Sequence, residues 1–563
     1  MRTMRKYIYV FIALLLINTS CSEYLNINND PNLPTQAELH KLLTGAQVEV
    51  GTNFSAGSYI GSVLPSYVFH LTSREVDNYG IIPSYASLGN TWQKSYSYSL
   101  KNLDAVIDAA SSTDNMIYAG IGKLLKAYVF VSVVDLWGDV PYSECNNPSI
   151  NNPKVDSSVE IYNTLLELID DGLIDLNNKS SANLLKPGAD DLIYNGNVEK
   201  WIAMGNTLKL KMLVQSRKAK SEIKDWQSRL TALLQEDKFI KTNNDFEFKH
   251  YKQDNPDERH PAYAREYLAG QSTHYISPWL FEMMSGKNLN VKDNPFVGIT
   301  DPRIPYYWYN QLTTRQDAQN ATDYRDGPFV SIFFASNSAY KSNDQRETST
   351  FIGIYPCGGK YDKGDDEAKD GKKPKADKNV GNGVAPNKML QAYSVPFLKA
   401  ELYLVGEAVG DAKAALVEGI NRSITHVNAV AKNSDSNTPM ISKEKLQEFT
   451  DHIIAKYEVA DTEGKLKIVM IQKWIANFFN SVEAYADLRR TGYPKVVDSS
   501  FDFAQSPYKS DKKATLGPVE IPLGGLNAFQ RALYYPSIEV TRNKNVINEG
   551  RNIASPILFW DKP

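Results

Sequence analysis

The chain has 563 residues, of which 62 are basic and 65 acidic, giving a formal net charge of -3 at neutral pH. This near balance argues against a nucleic-acid-binding protein that relies on a basic surface. Three cysteines are too few for a disulfide scaffold, while the length is sufficient to bury a large core.

The N-terminus has the layout of a secretory signal. Basic residues come first, an apolar run follows over residues 7–17, and Ser20 and Cys21 stand at the expected cleavage point. Eleven apolar residues are too few to span a bilayer comfortably. The cysteine resembles that of a bacterial lipobox, so we predict a signal peptide over residues 1–20, a lipid anchor at Cys21 and a tether over residues 21–34. A plain signal peptide with an incidental cysteine is the alternative.

The first helices follow the tether. Thr35 and Glu38 have the spacing of a capping box, which predicts a helix starting at Thr35. Residues 51–89 are rich in glycine, proline and tyrosine, and no long helical period continues past Val76. We therefore expect helix to give way to a long loop, with a new helix from Asn90.

Residues 118–142 contain the most apolar helical period of the chain. Residues 128–134 are apolar on almost every side, which indicates a helix enclosed by neighbouring elements. Gly138 and Pro141 then predict its end.

Several amphipathic helices follow. Ser157 and Glu160 form a second capping box, and another helix is predicted near Asn197. Helical periods return at Pro396, and residues 468–485 are predicted to form the last long helix. Short connections between such helices favour antiparallel stacked pairs.

Residues 243–385 form an irregular section between these helical regions. Its mixed-charge run over residues 362–378 lacks EF-hand spacing, so a solvated loop is favoured over a calcium site. Cys145 and Cys357 are expected to be two isolated buried thiols, with a disulfide as the alternative. The chain has no His-Glu-x-x-His, no Gly-x-Ser-x-Gly and no P-loop motif. We therefore assign no catalytic residue, metal or cofactor, although a pair of glycosidase carboxylates stays open.

Several stretches resemble the SusD/RagB family of nutrient-binding outer-membrane lipoproteins. The most specific is Asp-Leu-Trp-Gly-Asp-Val-Pro-Tyr at residues 135–142. Further similar stretches lie at residues 28–32, 201–210, 301–305, 472–494 and 534–545. Together they extend over most of the chain and favour the SusD-like branch.

The resemblance implies a mainly α fold: stacked helix pairs in a tetratricopeptide-like α-solenoid, with long irregular loops and minor β structure. It implies one SusD-like helical domain over residues 35–563, with ligand-binding loops in the irregular section. The expected function is non-enzymatic: a lipid-anchored protein of the outer membrane, facing the cell exterior, that binds an oligosaccharide and delivers it to a SusC-like TonB-dependent transporter. An oligopeptide-binding RagB-like receptor and a secreted glycoside hydrolase are the alternatives.

The loops best equipped for a sugar are residues 74–85 and 279–309. A sugar ring presents apolar C–H faces and a rim of hydroxyls, which suit aromatic platforms beside charged and amide groups. The predicted platforms are Tyr79, Tyr85 and Trp308. Their predicted hydrogen-bonding partners are Arg74, Asp77 and Asn78.

Overall fold

The computed structural model describes residues 38–73, 88–269, 273–289, 291, 293–312, 323–332, 348–363, 381–495, 530–553 and 555–562. Helices dominate these residues, which confirms the mainly α prediction. The helices before the irregular section are α1 (Leu39–Asn53), α2 (Tyr59–Tyr67), α3 (Gly89–Gln93), α4 (Lys101–Ser112), α5 (Met116–Trp137), α6 (Ser158–Asn177), α7 (Val198–Gln215) and α8 (Trp226–Glu236). A π-helical stretch, Lys94–Leu100, joins α3 to α4, and a 3-10 turn, Arg217–Glu222, follows α7.

The helices in the described part of the irregular section are short, and long helices return after it. The helices from the irregular section onwards are α9 (Pro261–Tyr263, continued by the π-helical Ala264–Leu268), α10 (Pro278–Met284), α11 (Ile304–Tyr307), α12 (Ile354–Cys357), α13 (Ser394–Leu404), α14 (Ala412–Ser434), α15 (Lys443–Glu458), α16 (Thr462–Ala476), α17 (Ser481–Thr491) and α18 (Ser537–Arg542).

The β structure of the described residues consists of five two-stranded antiparallel sheets. The strands are β1 (Leu71–Ser73), β2 (Val140–Pro141), β3 (Val155–Asp156), β4 (Phe246–Phe248), β5 (His274–Ile276), β6 (Trp308–Tyr309), β7 (Asp323–Asp326), β8 (Phe329–Ile332), β9 (Phe351–Ile352) and β10 (Asn387–Leu390). The pairs are β1–β5, β2–β3, β4–β10, β6–β9 and β7–β8. This small amount of strand agrees with the expected minor β content.

Helix α5 is the centre of the N-terminal stack, as its all-round apolar sequence predicts. It contacts α4 on one side and α6 on the other. Glycines allow the close approach: a Cβ at Gly120 would lie 2.8 Å from the carbonyl oxygen of Gly172 on α6. Among the described helices α5 alone is long and apolar enough to cross a membrane, but 83% of its most apolar window is buried within the fold. Its apolar surface is therefore used for packing against other helices.

Two predicted helix starts are confirmed by their caps. The Ser157 hydroxyl accepts a hydrogen bond from the Glu160 backbone N–H at 3.3 Å, at the start of α6. The Asn197 side chain accepts one from the Lys200 backbone N–H at 3.0 Å, at the start of α7. Each cap satisfies an N–H group that has no partner within the helix.

Two other predicted boundaries differ from the structure. The first described helix begins at Leu39 with Glu38 at its N-cap, and Glu38 makes no side-chain cap bond; Thr35 lies outside the described residues. The predicted helix over residues 468–485 is two helices, because Phe479 has a φ of +65°. A left-handed residue cannot continue a right-handed α-helix, so the chain turns between α16 and α17.

The C-terminal segment closes over the end of α5. The Leu533 backbone N–H donates to the Leu136 carbonyl at 2.9 Å, and the Trp137 indole N–H donates to the Tyr534 carbonyl at 2.9 Å. From α17, the Arg489 guanidinium donates to the Asp135 carbonyl at 2.6 Å. Arg489 and Leu533, which lie 354 and 397 positions further along the chain, thus satisfy the carbonyl groups of Asp135 and Leu136 at the end of the central helix.

The two described cysteines are free thiols. Cys145 is half-buried and its thiol donates to the Tyr142 carbonyl at 2.9 Å, while Cys357 is buried. The expectation of two separate thiols is confirmed, except that Cys145 is only partly buried, and the disulfide alternative is wrong.

Candidate functional site

Most of the sequence-predicted binding residues lie outside the described residues. This applies to Arg74, Asp77, Asn78, Tyr79 and Tyr85. It applies also to the predicted lipid anchor, Cys21. Their assigned roles therefore stay predictions.

Trp308 is described, and the structure places it in the core. It is 1% exposed and packs against the stacked rings of Phe281 and Phe329, at ring-centroid distances of 5.9 and 5.8 Å. An indole enclosed in this way has no open face for a sugar, so the predicted platform role does not fit this position. Side chains alternate between the two sides of a strand, and the next residue of β6, Tyr309, is half-buried.

The partly exposed side chains around β6 form a continuous surface with the segment that follows α12. We call Tyr309, Asn310, Lys360, Tyr361 and Asp362 the tyrosine face; all five are half-buried. The sequence predicted a binding loop over residues 279–309 with Trp308 as its platform, and it predicted no binding role for Tyr309 or for residues 360–362. Only the pairing of distant segments brings these residues together.

Strand pairing and side-chain hydrogen bonds build this face. β6 pairs with β9, with Tyr309 opposite Phe351. The Asp362 backbone N–H donates to the Pro305 carbonyl at 3.1 Å. The Asp362 carboxylate accepts from the Asn310 backbone N–H at 3.1 Å and from the Asn310 side-chain amide at 3.0 Å. These bonds join the end of β6 to residues 360–362.

The two tyrosines of the face are each held by a neighbour. The Lys360 ammonium donates to the Tyr309 hydroxyl at 2.8 Å and lies 4.4 Å from the centroid of the Tyr309 ring. The Tyr361 ring lies 5.0 Å from that of Tyr306, whose hydroxyl donates to the Pro439 carbonyl. The rings are thereby fixed before any ligand arrives, which lowers the entropy cost of binding.

The electrostatics of the face centre on Asp362. Burial raises the pKa of the Asp362 carboxyl to about 7, against the opposing effect of the hydrogen bonds from Asn310 and of the Lys360 charge. The face therefore offers two aromatic rings, a cation, an amide and a carboxyl group that titrates near neutral pH. Such a set can stack on a sugar ring and bond to its hydroxyl groups.

A second cluster, Asp245, Glu247 and His426, has side-chain types that could hold a metal ion. The Glu247 carboxylate already receives the His426 imidazole at 3.1 Å and the Lys249 ammonium at 2.7 Å. Although burial acts to raise it, these contacts lower the pKa of Glu247 to about 2. Because Glu247 is satisfied by its neighbours in this way, we interpret the cluster as a structural network.

Packed helices, short two-stranded sheets and an irregular section define a helical, solenoid-like fold. The sequence profile of the SusD-like family, described as starch-binding and associating with the outer membrane, matches residues 31–510. The chain therefore belongs to the SusD-like family. A search of curated protein sequences finds no significant match.

Solved structures of similar fold cover nearly the whole chain. A chitin-binding protein is 20% identical with a TM-score of 0.64, covering 93% of this chain and 100% of its own. A SusD/RagB family protein from Bacteroides thetaiotaomicron is 17% identical with a TM-score of 0.62, covering 93% and 99%. A chitin-binding SusD homologue from Flavobacterium johnsoniae is 16% identical with a TM-score of 0.61, covering 92% and 98%. These likenesses establish the fold, but they do not identify the residues that bind a ligand.

Proposed function

We propose that this protein is a lipid-anchored receptor on the cell surface that binds an oligosaccharide without transforming it. It then delivers the oligosaccharide to a SusC-like TonB-dependent transporter in the outer membrane. Membership of the SusD-like family supports the binding role, since that family is described as starch-binding and outer-membrane-associated. The signal-like N-terminus ending at Cys21 supports the anchor.

The observation that carries the sugar assignment is the tyrosine face. Tyr309 and Tyr361 are half-exposed aromatic rings. Lys360 and Asp362 flank Tyr361 in the chain, and the Lys360 ammonium also donates a hydrogen bond to the Tyr309 hydroxyl. Aromatic rings hold the apolar face of a sugar, while charged and amide groups bond to its hydroxyl rim. Chitin oligosaccharides are the first probe because two solved structures of this fold are named chitin-binding. Starch oligosaccharides are the second, because of the family's description.

Isothermal titration calorimetry with chitin, starch and other oligosaccharides tests the proposal. We expect one class to bind, and Tyr309→Ala and Tyr361→Ala each to weaken its binding by roughly tenfold through loss of ring stacking. Val459→Ala is the matched control, because Val459 is exposed between α15 and α16 and is remote in sequence from the face.

Three outcomes would contradict the proposal. Peptide binding with no response to any glycan would favour the oligopeptide receptor. Hydrolysis of a polysaccharide by the purified protein, abolished by one carboxylate substitution, would favour a glycosidase. Glycan binding that is unchanged in both tyrosine variants would place the sugar site elsewhere.

A further inference from the structure

A chain of hydrogen bonds runs from strand β8 to the carboxylate of the tyrosine face. The Val330 backbone N–H donates to the Thr350 hydroxyl oxygen at 2.9 Å, and the Thr350 hydroxyl donates to the Asn310 side-chain oxygen at 3.0 Å. The Asn310 side-chain amide then donates to the Asp362 carboxylate at 3.0 Å. Each donor in this chain is directed from the strand towards Asp362.

The Thr350 hydroxyl sets the direction of the chain. Thr350 is 1% exposed, and its own backbone N–H donates to the Val330 carbonyl at 2.9 Å. A hydroxyl group has a single proton to donate, and among the described residues only Asn310 accepts the proton of Thr350. If the Asn310 amide turned over, that buried proton would lose its acceptor, which is unfavourable. Thr350 therefore holds the amide NH2 group of Asn310 towards Asp362.

The Asp362 carboxylate keeps acceptor capacity beyond its bonds to Asn310. One carboxylate oxygen accepts the backbone N–H of Asn310 and the other accepts its side-chain amide. A carboxylate oxygen can accept about two hydrogen bonds, and no other described group donates to this carboxylate. Asp362 is half-buried beside the half-buried ring of Tyr361. The remaining lone pairs can therefore accept from the hydroxyl groups of a ligand on the tyrosine face.

Protonation of Asp362 would remove this capacity where the ligand needs it. A proton on a lone pair that accepts from Asn310 would face an N–H donor, so the proton has to occupy one of the remaining lone pairs. There it blocks an acceptor, and it cancels the negative charge that strengthens a hydrogen bond. Burial raises the pKa of Asp362 to about 7, so both forms are present near neutral pH.

The groups around Asp362 keep their charge states over this range. The titratable side chains on the adjoining residues of β6, of α11 and of the segment after α12 are those of Tyr306, Tyr309, Lys360, Tyr361 and Lys363. Lysine is cationic and tyrosine is neutral near pH 7. None of the histidines, all of which are described, contacts the tyrosine face. A change of binding near pH 7 that disappears with the Asp362 carboxyl group is therefore due to its proton.

We propose that Asp362 is the specificity-determining acceptor of the tyrosine face and that Thr350, acting through Asn310, is the residue that positions it. Asp362 binds ligand hydroxyl groups as a carboxylate. The inference rests on the proposed function, because it needs an oligosaccharide on this face. It adds that the face selects a sugar with free hydroxyl groups at this point, and that acid weakens binding. A sugar with methyl ethers or a carboxylate there has no proton to donate.

Calorimetric titration of chitohexaose and maltohexaose between about pH 5 and about pH 9 tests the role of Asp362. We expect the oligosaccharide that binds to do so about tenfold more tightly at the upper end, because a hydrogen bond to a charged group is lost at the lower end. Below pH 7 binding should release a proton, so the measured enthalpy should vary with the ionisation enthalpy of the buffer.

Two substitutions of carboxylates give the matched comparison. Asp362→Asn should bind weakly and show neither the pH dependence nor the proton release. Asp108→Asn is the control, because Asp108 is an exposed carboxylate on α4, and it should keep the wild-type pH profile.

Two substitutions at Thr350 test its positioning role. Thr350→Ser keeps the hydroxyl and should keep the wild-type pH profile. In Thr350→Val the Asn310 amide can turn over and accept the proton of Asp362, which favours the protonated form. The pH at which binding falls to half should therefore move upwards in Thr350→Val. A purely structural effect would instead weaken binding equally at every pH.

Three results would overturn the inference. Glycan binding with the same pH profile in the wild type and in Asp362→Asn would leave the proposed function standing but remove the role of Asp362. The same half-binding pH in Thr350→Val and Thr350→Ser would remove the role of Thr350. Binding of neither oligosaccharide at any pH would overturn the inference and the proposed function together.

Discussion

Asn310 donates two hydrogen bonds to the carboxylate of Asp362, at 3.1 Å from its backbone N–H and at 3.0 Å from its side-chain amide. The pair ties the residue after β6 to the segment that follows α12. It therefore sets the spacing between Tyr309 and Tyr361, the two rings of the tyrosine face. The protonation of Asp362 consequently affects the whole candidate site.

The first prediction concerns pH. Burial raises the pKa of Asp362 in the folded protein to about 7, above its ordinary value of 3.8, so the unfolded chain loses this proton at lower pH than the folded chain. The free energy of unfolding is expected to fall between about pH 4 and about pH 7 and to level off above pH 7. In Asp362→Asn, the fall in the free energy of unfolding that is due to this carboxyl group should be absent. Denaturant titrations of both proteins across this range measure it, and an identical pH slope in the two would contradict it.

The second prediction concerns a buried ion pair between α13 and α17. Glu401 accepts from the Arg490 guanidinium at 2.7 Å and from the Arg217 guanidinium at 2.8 Å, and it is fully buried. Glu401→Ala leaves two guanidinium groups without this partner, which should lower the free energy of unfolding by about 3–5 kcal/mol. Glu418→Ala is the control, because Glu418 pairs with Arg422 on an exposed helix surface and should cost less than about 1 kcal/mol. Similar losses in the two variants would show that the buried pair has no special role.

The same pair predicts an acid sensitivity. Although burial acts to raise it, the charge of Arg490 and its hydrogen bonds lower the pKa of Glu401 to about 2. A lowered folded pKa gives stability that is present above the unfolded value of 4.5 and is lost as pH falls towards 2. Wild-type protein should therefore lose stability over that interval more steeply than Glu401→Gln. Chemical denaturation between about pH 2 and about pH 5 measures the difference, and parallel curves would refute the assignment.

The third prediction concerns the end of the central helix. Gly138 has a φ of +79° and a ψ of -123°, a conformation that L side chains rarely adopt, and its backbone N–H donates to the Val134 carbonyl at 2.7 Å. Gly138→Ala should destabilise the fold by about 1–3 kcal/mol through backbone strain, since no atom crowds the added Cβ. Gly45→Ala, within α1 and with open space around it, should stabilise by about 0.5–1 kcal/mol. Thermal unfolding of the two variants should shift in opposite directions, and a shift of Gly138→Ala to higher temperature would contradict the account.

The fourth prediction concerns the anchor. Cys21→Ser should abolish acylation and move the protein from the membrane fraction to a soluble fraction, because a thiol is the acceptor of the lipid. Mass spectrometry of the mature chain and cell fractionation measure the two effects. Cys145→Ser is the matched control and should leave both unchanged, because Cys145 is partly buried within the fold. An unchanged mass in Cys21→Ser would show that the N-terminus is not a lipoprotein signal.

The sequence predicted the start of a helix correctly where the capping residue and the N–H group that it binds lie within one short segment. Ser157 and Asn197 cap α6 and α7 as their sequence contexts indicate. The break between α16 and α17 was not predictable in the same way, because the apolar period continues past it. The helix is interrupted between the C-cap Asn477 and the N-cap Asn480, where Phe479 has a positive φ and the Phe478 ring stacks on Tyr307.

The contacts that build the candidate site were likewise not predictable from local sequence patterns. Trp308 was predicted to be a platform, because sequence alone did not show which ring of the run Tyr-Tyr-Trp-Tyr at residues 306–309 faces inwards. Strand alternation buries Trp308 and leaves Tyr309 half-exposed. The bond between Asn310 and Asp362 joins residues 52 positions apart, and no local pattern predicts such a contact.

The central claim is that the tyrosine face holds an oligosaccharide. A crystal structure of the protein with the oligosaccharide that binds in calorimetry tests it most directly. The account predicts a sugar ring stacked at about 4–5 Å from Tyr309 or Tyr361, with a hydroxyl group bonded to Lys360 or Asp362. A sugar bound elsewhere on the fold, with the tyrosine face open to solvent, would contradict it.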